Sequence, residues 1–403
     1  MPVALWIAIF ALAVPVWAYG GYPIVLFVLA ALVQTGRDAA YLLFRRDRRR
    51  IGRRLPRVSV ILAAHNEETG IESTLRHCAS LDYPPDRIEI LVGSDGSADR
   101  TVAVARRFEN RGVRVFDFPQ RRGKAAVIAD CAGRAAGEIL VFSDANTRLR
   151  RDAVRNLVRH FADPTIGAVC GELRFETRDG QPADEGAYWR YEQTLKLLES
   201  RLDSTLGANG AIYAIRRDLF PKLPADTVTD DFVVVMSARS KGFRVAYDPE
   251  AVATEDLPAT KSSEFRRRVR IGAGNWQALW RCADLLLPWK GFVSAAFWSH
   301  KVARWFTPFL LVIAFAASLA ASNEPLGRRL LLVQAVGYAC ALFGLLLDRL
   351  RLPAGPFRLA WYFAVINAAL GVGMIKGVFG RQRAAWNRTE RREATPGAAR
   401  GTK

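Results

Sequence analysis

Val58 to Glu68, VSVILAAHNEE, decides how this chain is read: seven apolar or small residues give way at once to His65, Asn66, Glu67 and Glu68. A continuous apolar run of that length suits a strand buried on both faces. Such strands belong to parallel sheets, which present ligand-binding side chains at their carboxyl ends. A helical pattern, IESTLRHCASL (71–81), comes next, and the unit then recurs. IEILVGSD (88–95) ends in Asp95 beside Gly96 and Ser97. VRVFDF (113–118) leads through RRGKAAVIADCAGRAAG (121–137) to EILVFSDANT (138–147), whose strand ends at Asp144. Strands alternating with helices and ending in acids or amides at one edge predict an α/β domain with a ligand at that edge.

An Asp beside Gly and Ser is also an ordinary turn former or helix cap, so each acid alone has a bland reading. No GxGxxG follows a strand and no P-loop is present, which excludes the usual dinucleotide and mononucleotide phosphate cradles. Phosphates bound at this edge would need a divalent cation held by oxygen ligands such as Asp144.

Composition adds a second solvent. The 403 residues carry 58 Lys and Arg against 39 Asp and Glu, a net +19, yet half of them are apolar. Aromatics are too many for a disordered chain, and no aromatic or base-reading motif on a basic face points to nucleic acid. Cys78, Cys131, Cys170, Cys282 and Cys340 are scattered without metal or disulfide spacing. None of the four histidines joins a Cys/His or Ser/His/Asp constellation.

The apolar residues cluster at the two ends. Residues 4–33 are almost uncharged, longer than the roughly 20 needed to cross hydrocarbon. Arg37, Arg45, Arg46 and the arginines that follow place the next block on the cytoplasmic side by the positive-inside rule. Further apolar stretches at 303–321, 330–347 and 358–379 make four expected spans. Residues 262–300 interleave Arg266, Arg267, Arg268 and Arg270 with Trp276, Trp280, Trp289 and Trp298, a pattern suited to helices lying among headgroups. The expected organisation is a transmembrane helix (1–36), a basic cytosolic linker (37–55), a catalytic domain (56–260), interfacial helices (261–300), three transmembrane helices (301–380) and a disordered basic tail (381–403).

Seven motifs in order, AAHNEE, SDGSADRT, RRGKAAV, SDANT, GANGAIYAIRR, TVTDD and RRRVRIGAGNW, span residues 56–282. Together they resemble the family 2 inverting glycosyltransferases, in particular the membrane-embedded group of cellulose, hyaluronan and chitooligosaccharide synthases. The resemblance implies a GT-A (Rossmann-like) domain and a UDP-sugar donor. It places Asn66, Glu67, Asp95, Lys124, Asp144 and Arg270 at that donor, with Asp95 on the uracil. Asp144 matches the first acid of the metal-binding DxD, holding Mg²⁺ or Mn²⁺, and Asn146 replaces the second. Asp231 matches the general base, with Asp230 beside it. Both also sit where a helix begins, whose dipole favours an ionised carboxylate. Asn209, Gly210 and Trp276 fall on the acceptor side.

The QxxRW motif of the processive synthases is the main departure, because Arg267 and Ile271 stand where it has Gln and Trp, while Arg270 keeps the Arg. The expected protein is a multi-pass enzyme of a bacterial inner membrane, acting on a saccharide or lipid-linked acceptor among membrane lipids, and able to form oligomers. Rival readings are a polyprenyl-phosphate glycosyltransferase and an inactive transferase-like scaffold.

Overall fold

The computed structural model describes residues 2–44, 55–176, 187–256, 261–350, 352–353 and 355–380; most of the expected basic linker and all of the expected basic tail lie outside them. Eight strands form one mixed sheet: β1 Val58–Ala64, β2 Ile88–Asp95, β3 Val113–Phe118, β4 Ile139–Asp144, β5 Arg148–Leu149, β6 Ile166–Glu176, β7 Tyr213–Arg216 and β8 Arg244–Asp256, in the order β3-β2-β1-β4-β7-β6-β8-β5.

The four strands expected from the apolar runs are mutually parallel. Ala63 pairs with both Gly93 and Asp144, so the carboxyl ends of β1, β2 and β4 finish level. Beside them β7 runs antiparallel to β4, with Phe142 opposite Tyr213. That reversal brings the residues just before Tyr213 alongside Asp144, and the Ser143 hydroxyl donates to the Ala211 carbonyl at 2.8 Å. Two rules of geometry thus converge on one edge: parallel strands end there and an antiparallel strand starts there.

Both faces of the sheet are covered. Ile61, Leu91 and Phe142 pack with Val127, Ile128 and Met236 on one face, and Val60, Leu62 and Val141 pack with Ile71, Leu75 and Val154 on the other. The covering helices are α3 Ile71–Ala79, α4 Thr101–Arg106, α5 Lys124–Gly133, α6 Ala153–Arg159 and α8 Asp230–Ser240, counted after α1 Val3–Val16 and α2 Tyr22–Phe44, with α7 Ala187–Leu202 beyond β6 in sequence. Next come α9 Lys261–Arg281, α10 Phe292–Ala296, α11 Ala303–Ala320, α12 Pro325–Arg349 and α13 Gly355–Val378.

Among the described residues four helical stretches are long and apolar enough to cross a membrane: Val3–Phe44, Phe292–Ala320, Pro325–Arg349 and Gly355–Val378. Two are longer than the sequence suggests. A π-helical turn at Trp17–Gly21 joins α1 to α2, and another at Phe297–Val302 joins α10 to α11. Through the second, Trp298 and His300, expected among the interfacial helices at 261–300, are continuous with the second long helix. Gly291, at φ 63°, turns the chain into that helix, and no break follows before Ala320. Its Pro308 is accommodated, as prolines in apolar helices often are.

Glycines bring α9 and α13 together. A Cβ on Gly272 would lie 2.7 Å from the Leu370 carbonyl, and one on Gly373 only 2.2 Å from that of Val269. No other residue permits so close a backbone approach.

Candidate active site

Three carboxylates and one ammonium meet at the level sheet edge. Lys124 opens α5 after Gly123, whose φ of 96° favours glycine. Its Nζ lies 2.6 Å from Asp144 Oδ1 at the end of β4 and 3.6 Å from Asp230 Oδ2 at the start of α8. Gly210 borders the same space. A Cβ there would stand 3.3 Å from Lys124 Nζ, 3.5 Å from Asp144 Oδ2 and 3.7 Å from Asp231 Oδ2. The last two lengths put those carboxylate oxygens within about 7 Å of one another. Lys124, Asp144, Asn209, Gly210, Asp230 and Asp231, chosen from separate motifs, are therefore neighbours.

The electrostatics follow from burial. Asp231 is half-buried beside buried Asp230. Desolvation, and then the Asp230 charge, raise its pKa to about 6, although Lys124 and the Phe232 N–H, donating at 2.8 Å, pull the other way. Burial disfavours the Lys124 charge, but Asp144, then Asp230 and Asp231, more than offset it, and its pKa rises above the ordinary lysine value. The result is a fixed cation beside a carboxylate basic enough to take a proton near neutral pH.

Asn66 follows β1 with φ 52°, a left-handed conformation that Asn tolerates better than most residues. Its Oδ1 accepts from the Ala98 N–H at 2.9 Å and its own N–H donates to Ser97 Oγ at 3.1 Å, so it orders the loop after β2. Glu67 is buried, and its Oε2 and Asn146 Cβ both lie within 4 Å of where a Cβ on Gly70 would be.

Asp95 is the residue expected on the uracil. It is fully buried, and its two oxygens accept from the N–H groups of Arg122 at 2.7 Å and Gly123 at 2.9 Å. In this conformation it anchors the basic loop that presents Lys124.

Helical periodicity separates Arg270 from Trp276. A Cβ on Gly274 would press on Thr229 Cγ2 at 2.5 Å, directly before Asp230. Arg270, four residues earlier, shares that face. Trp276 lies two residues beyond, about 200° round the helix. It packs against Gly377 of α13 and meets Trp280 edge-on at 5.5 Å. Trp276, expected on the acceptor side, thus packs towards α13 in this structure, on a different face of α9 from Arg270.

A buried charged cluster was not foreseen. Glu199 of α7 accepts from the Tyr22 hydroxyl at 2.9 Å and the Leu206 N–H at 3.2 Å, and lies 2.6 Å from His300 Nδ1. Arg304 pairs with Glu192 and donates to the Ala18 carbonyl at 3.2 Å and the Tyr191 hydroxyl at 2.7 Å. Lys196 donates to Asn209 Oδ1 at 2.6 Å. The legible signal was SHKVAR (299–304), ionisable residues continuous with an apolar helix, which find polar partners when buried.

A cavity of about 450 Å³ lined by Glu138, Phe161, Arg216 and Asp218 lies elsewhere, at the end of the sheet where β1 and β4 begin. Ligands of open α/β sheets bind at the opposite edge, and the acid cluster outweighs this cavity.

Residues 59–223 match the family described as Glycosyl transferase family 2. The chain is 28% identical over 248 residues to the probable glycosyltransferase YdaM of Bacillus subtilis, covering 55% of this chain and 56% of that protein. It is 26% identical over 234 residues to the poly-β-1,6-N-acetyl-D-glucosamine synthase of Staphylococcus aureus, covering 56% of each. The matched region spans little more than half the length of these relatives. In fold the chain is similar to the mannosyltransferase PcManGT of Pyrobaculum calidifontis, solved with GDP-Man and Mn²⁺. That likeness has a TM-score of 0.69 at 24% identity and covers 94% of this chain and 100% of that one. On sequence and fold together, this chain carries a family 2 glycosyltransferase domain of the GT-A fold.

Proposed function

We propose that the protein is a membrane-embedded inverting glycosyltransferase that moves a sugar from a UDP-sugar to a saccharide or lipid-linked saccharide in polysaccharide synthesis. The observation that carries this reading is the convergence of Lys124, Asp144 and Asp231 on the space beside Gly210.

In the proposed reaction an acceptor hydroxyl attacks the anomeric carbon from the face opposite the diphosphate. The new C–O bond forms as the bond to the phosphate oxygen breaks, its electron pair leaves with UDP, and the hydroxyl proton passes to Asp231. Asp231 suits that step because burial raises its basicity while leaving it ionised above about pH 6. The Lys124 ammonium, already held in place by two acids, faces the charge that develops on the departing diphosphate.

Asp144 and Asn146 would hold a divalent ion. Among the described residues no three or more His, Cys, Asp or Glu side chains form a metal cage, but a hard cation that also takes substrate phosphates needs only one or two protein oxygens. Asp144 fits, since it gives Oδ1 to Lys124 and turns Oδ2 towards Gly210. Such an ion neutralises diphosphate charge.

The four apolar helices support a membrane setting, and the named synthase makes UDP-N-acetylglucosamine the first donor to try. Release of UDP from a panel of UDP-sugars by full-length protein, with and without Mn²⁺, tests the reading. An ethanol-insoluble labelled product is expected. A product extracted into organic solvent would make a lipid carrier the acceptor, and no UDP release from any donor would overturn the proposal.

A further inference from the structure

Lys196 of α7 is buried, 8% exposed, yet its ammonium is directed at a neutral amide: Nζ lies 2.6 Å from Asn209 Oδ1. Among the described residues no carboxylate comes within 4 Å of it. Burying a cation without a counter-charge is unfavourable, so the contact calls for a reason beyond stability.

The reason lies in what the contact does to Asn209. An ammonium only donates, so it fixes which end of the amide faces α7; the oxygen does, and Nδ2 diverges from it. Nδ2 is itself shielded from solvent and has no hydrogen-bond partner among the described residues. Buried donors are almost always paired. The orphan lies immediately before Gly210, where Lys124, Asp144 and Asp231 converge, so a ligand atom that displaces the side chains covering Nδ2 would supply its missing partner.

The support behind the amide is rigid. A tight turn closed by Ile212 N–H donating to the Asn209 carbonyl at 3.1 Å fixes the loop, and Glu199, three residues after Lys196, ties α7 to Tyr22 and to Leu206. The ammonium also polarises the amide and strengthens Nδ2–H as a donor.

We propose that Lys196 is a positioning residue, holding Asn209 so that its Nδ2–H donates to an oxygen of the incoming acceptor saccharide. The inference rests on the transferase reading above and adds the acceptor's recognition element. Acceptor entry supplies the missing partner and aligns the attacking hydroxyl with Asp231, whereas a water molecule attacking the donor gains nothing from it.

The test uses full-length protein with UDP-N-acetylglucosamine and a β-1,6-linked N-acetylglucosamine oligosaccharide, measuring oligosaccharide extension against hydrolysis to free sugar. In Lys196→Met the ratio of extension to hydrolysis falls about tenfold or more, chiefly through a higher KM for the oligosaccharide. Lys196→Arg, which keeps a donor to Oδ1, recovers most of it. Asn209→Asp keeps the contact with Lys196 but removes the donor, and its ratio falls as in Lys196→Met. A wild-type ratio in Lys196→Met overturns the proposal, as does a parallel loss of extension and hydrolysis in both Lys196 variants, which would reveal a role in folding alone. A wild-type protein that releases UDP from no UDP-sugar overturns the transferase reading instead, and this inference with it.

Discussion

Asp231 carries the heaviest demand at the residue scale. Replacing it with Asn keeps the shape and removes the base, so transfer should fall roughly 10²- to 10⁴-fold while UDP binding by titration calorimetry persists; transfer at the wild-type rate would sink the assignment. The pH profile gives a second reading of the same group. With a pKa near 6, Asp231 is protonated and idle below that value, so wild-type kcat/KM should climb as pH rises through about 6 and then level. A rate indifferent to pH between 5 and 7 would contradict it. These acids were legible because each ends a strand or opens a helix within a short motif. Lys196 was not legible: its partner is 13 residues away on a different element, and nothing in a helix-surface lysine announces that it will be buried. Asp95 shows the opposite case, a motif residue whose carboxylate the fold uses for its own loop.

Helix α9 turns packing into placement at the scale of the element. One face of it meets α13 through Gly272, and another meets Thr229 through Gly274. Side chains at the two glycine contacts should act differently. Gly373→Ala would drive a Cβ to 2.2 Å from the Val269 carbonyl and force the two helices apart, for about 1–3 kcal/mol of stability, read as a lower unfolding temperature in detergent. Gly274→Ala would push against Thr229 at 2.5 Å and displace the segment that holds Asp230 and Asp231, so its loss of kcat should exceed its loss of stability. Equal behaviour in both assays would refute this division. The strands of the parallel half were readable because doubly buried strands are continuous apolar runs. The 261–300 region was read only in part: aromatic and basic interleaving describes a surface helix and a helix buried against glycine equally well. Only the partner, α13, distinguishes them.

For the whole molecule, the structure joins a glycosyltransferase domain to four apolar helices, and among the described residues a buried charged cluster ties them together. Glu199 is its hub, linking α7 to Tyr22 of the first long helix and to His300 of the second. Burial opposes its ionisation, but His300, with Lys301 and the Tyr22 hydroxyl, more than compensates and holds the carboxyl below its usual value. Glu199→Leu would leave His300 buried without that partner and should destabilise the protein by about 3–5 kcal/mol, seen as a large drop in thermal stability in detergent; an unchanged transition would mean that the cluster ties nothing together. The division into apolar ends and an α/β centre was visible in composition. Its joint was not, because Tyr22, Glu199 and His300 lie more than a hundred residues apart and only the packed chain brings them together. The central claim, a single displacement with Asp231 as base beside Gly210, is tested most directly by the anomeric configuration of the product. Proton NMR of the glycoside formed from an α-linked UDP-sugar should show a β linkage from the first turnover, and an α-linked product would contradict the account.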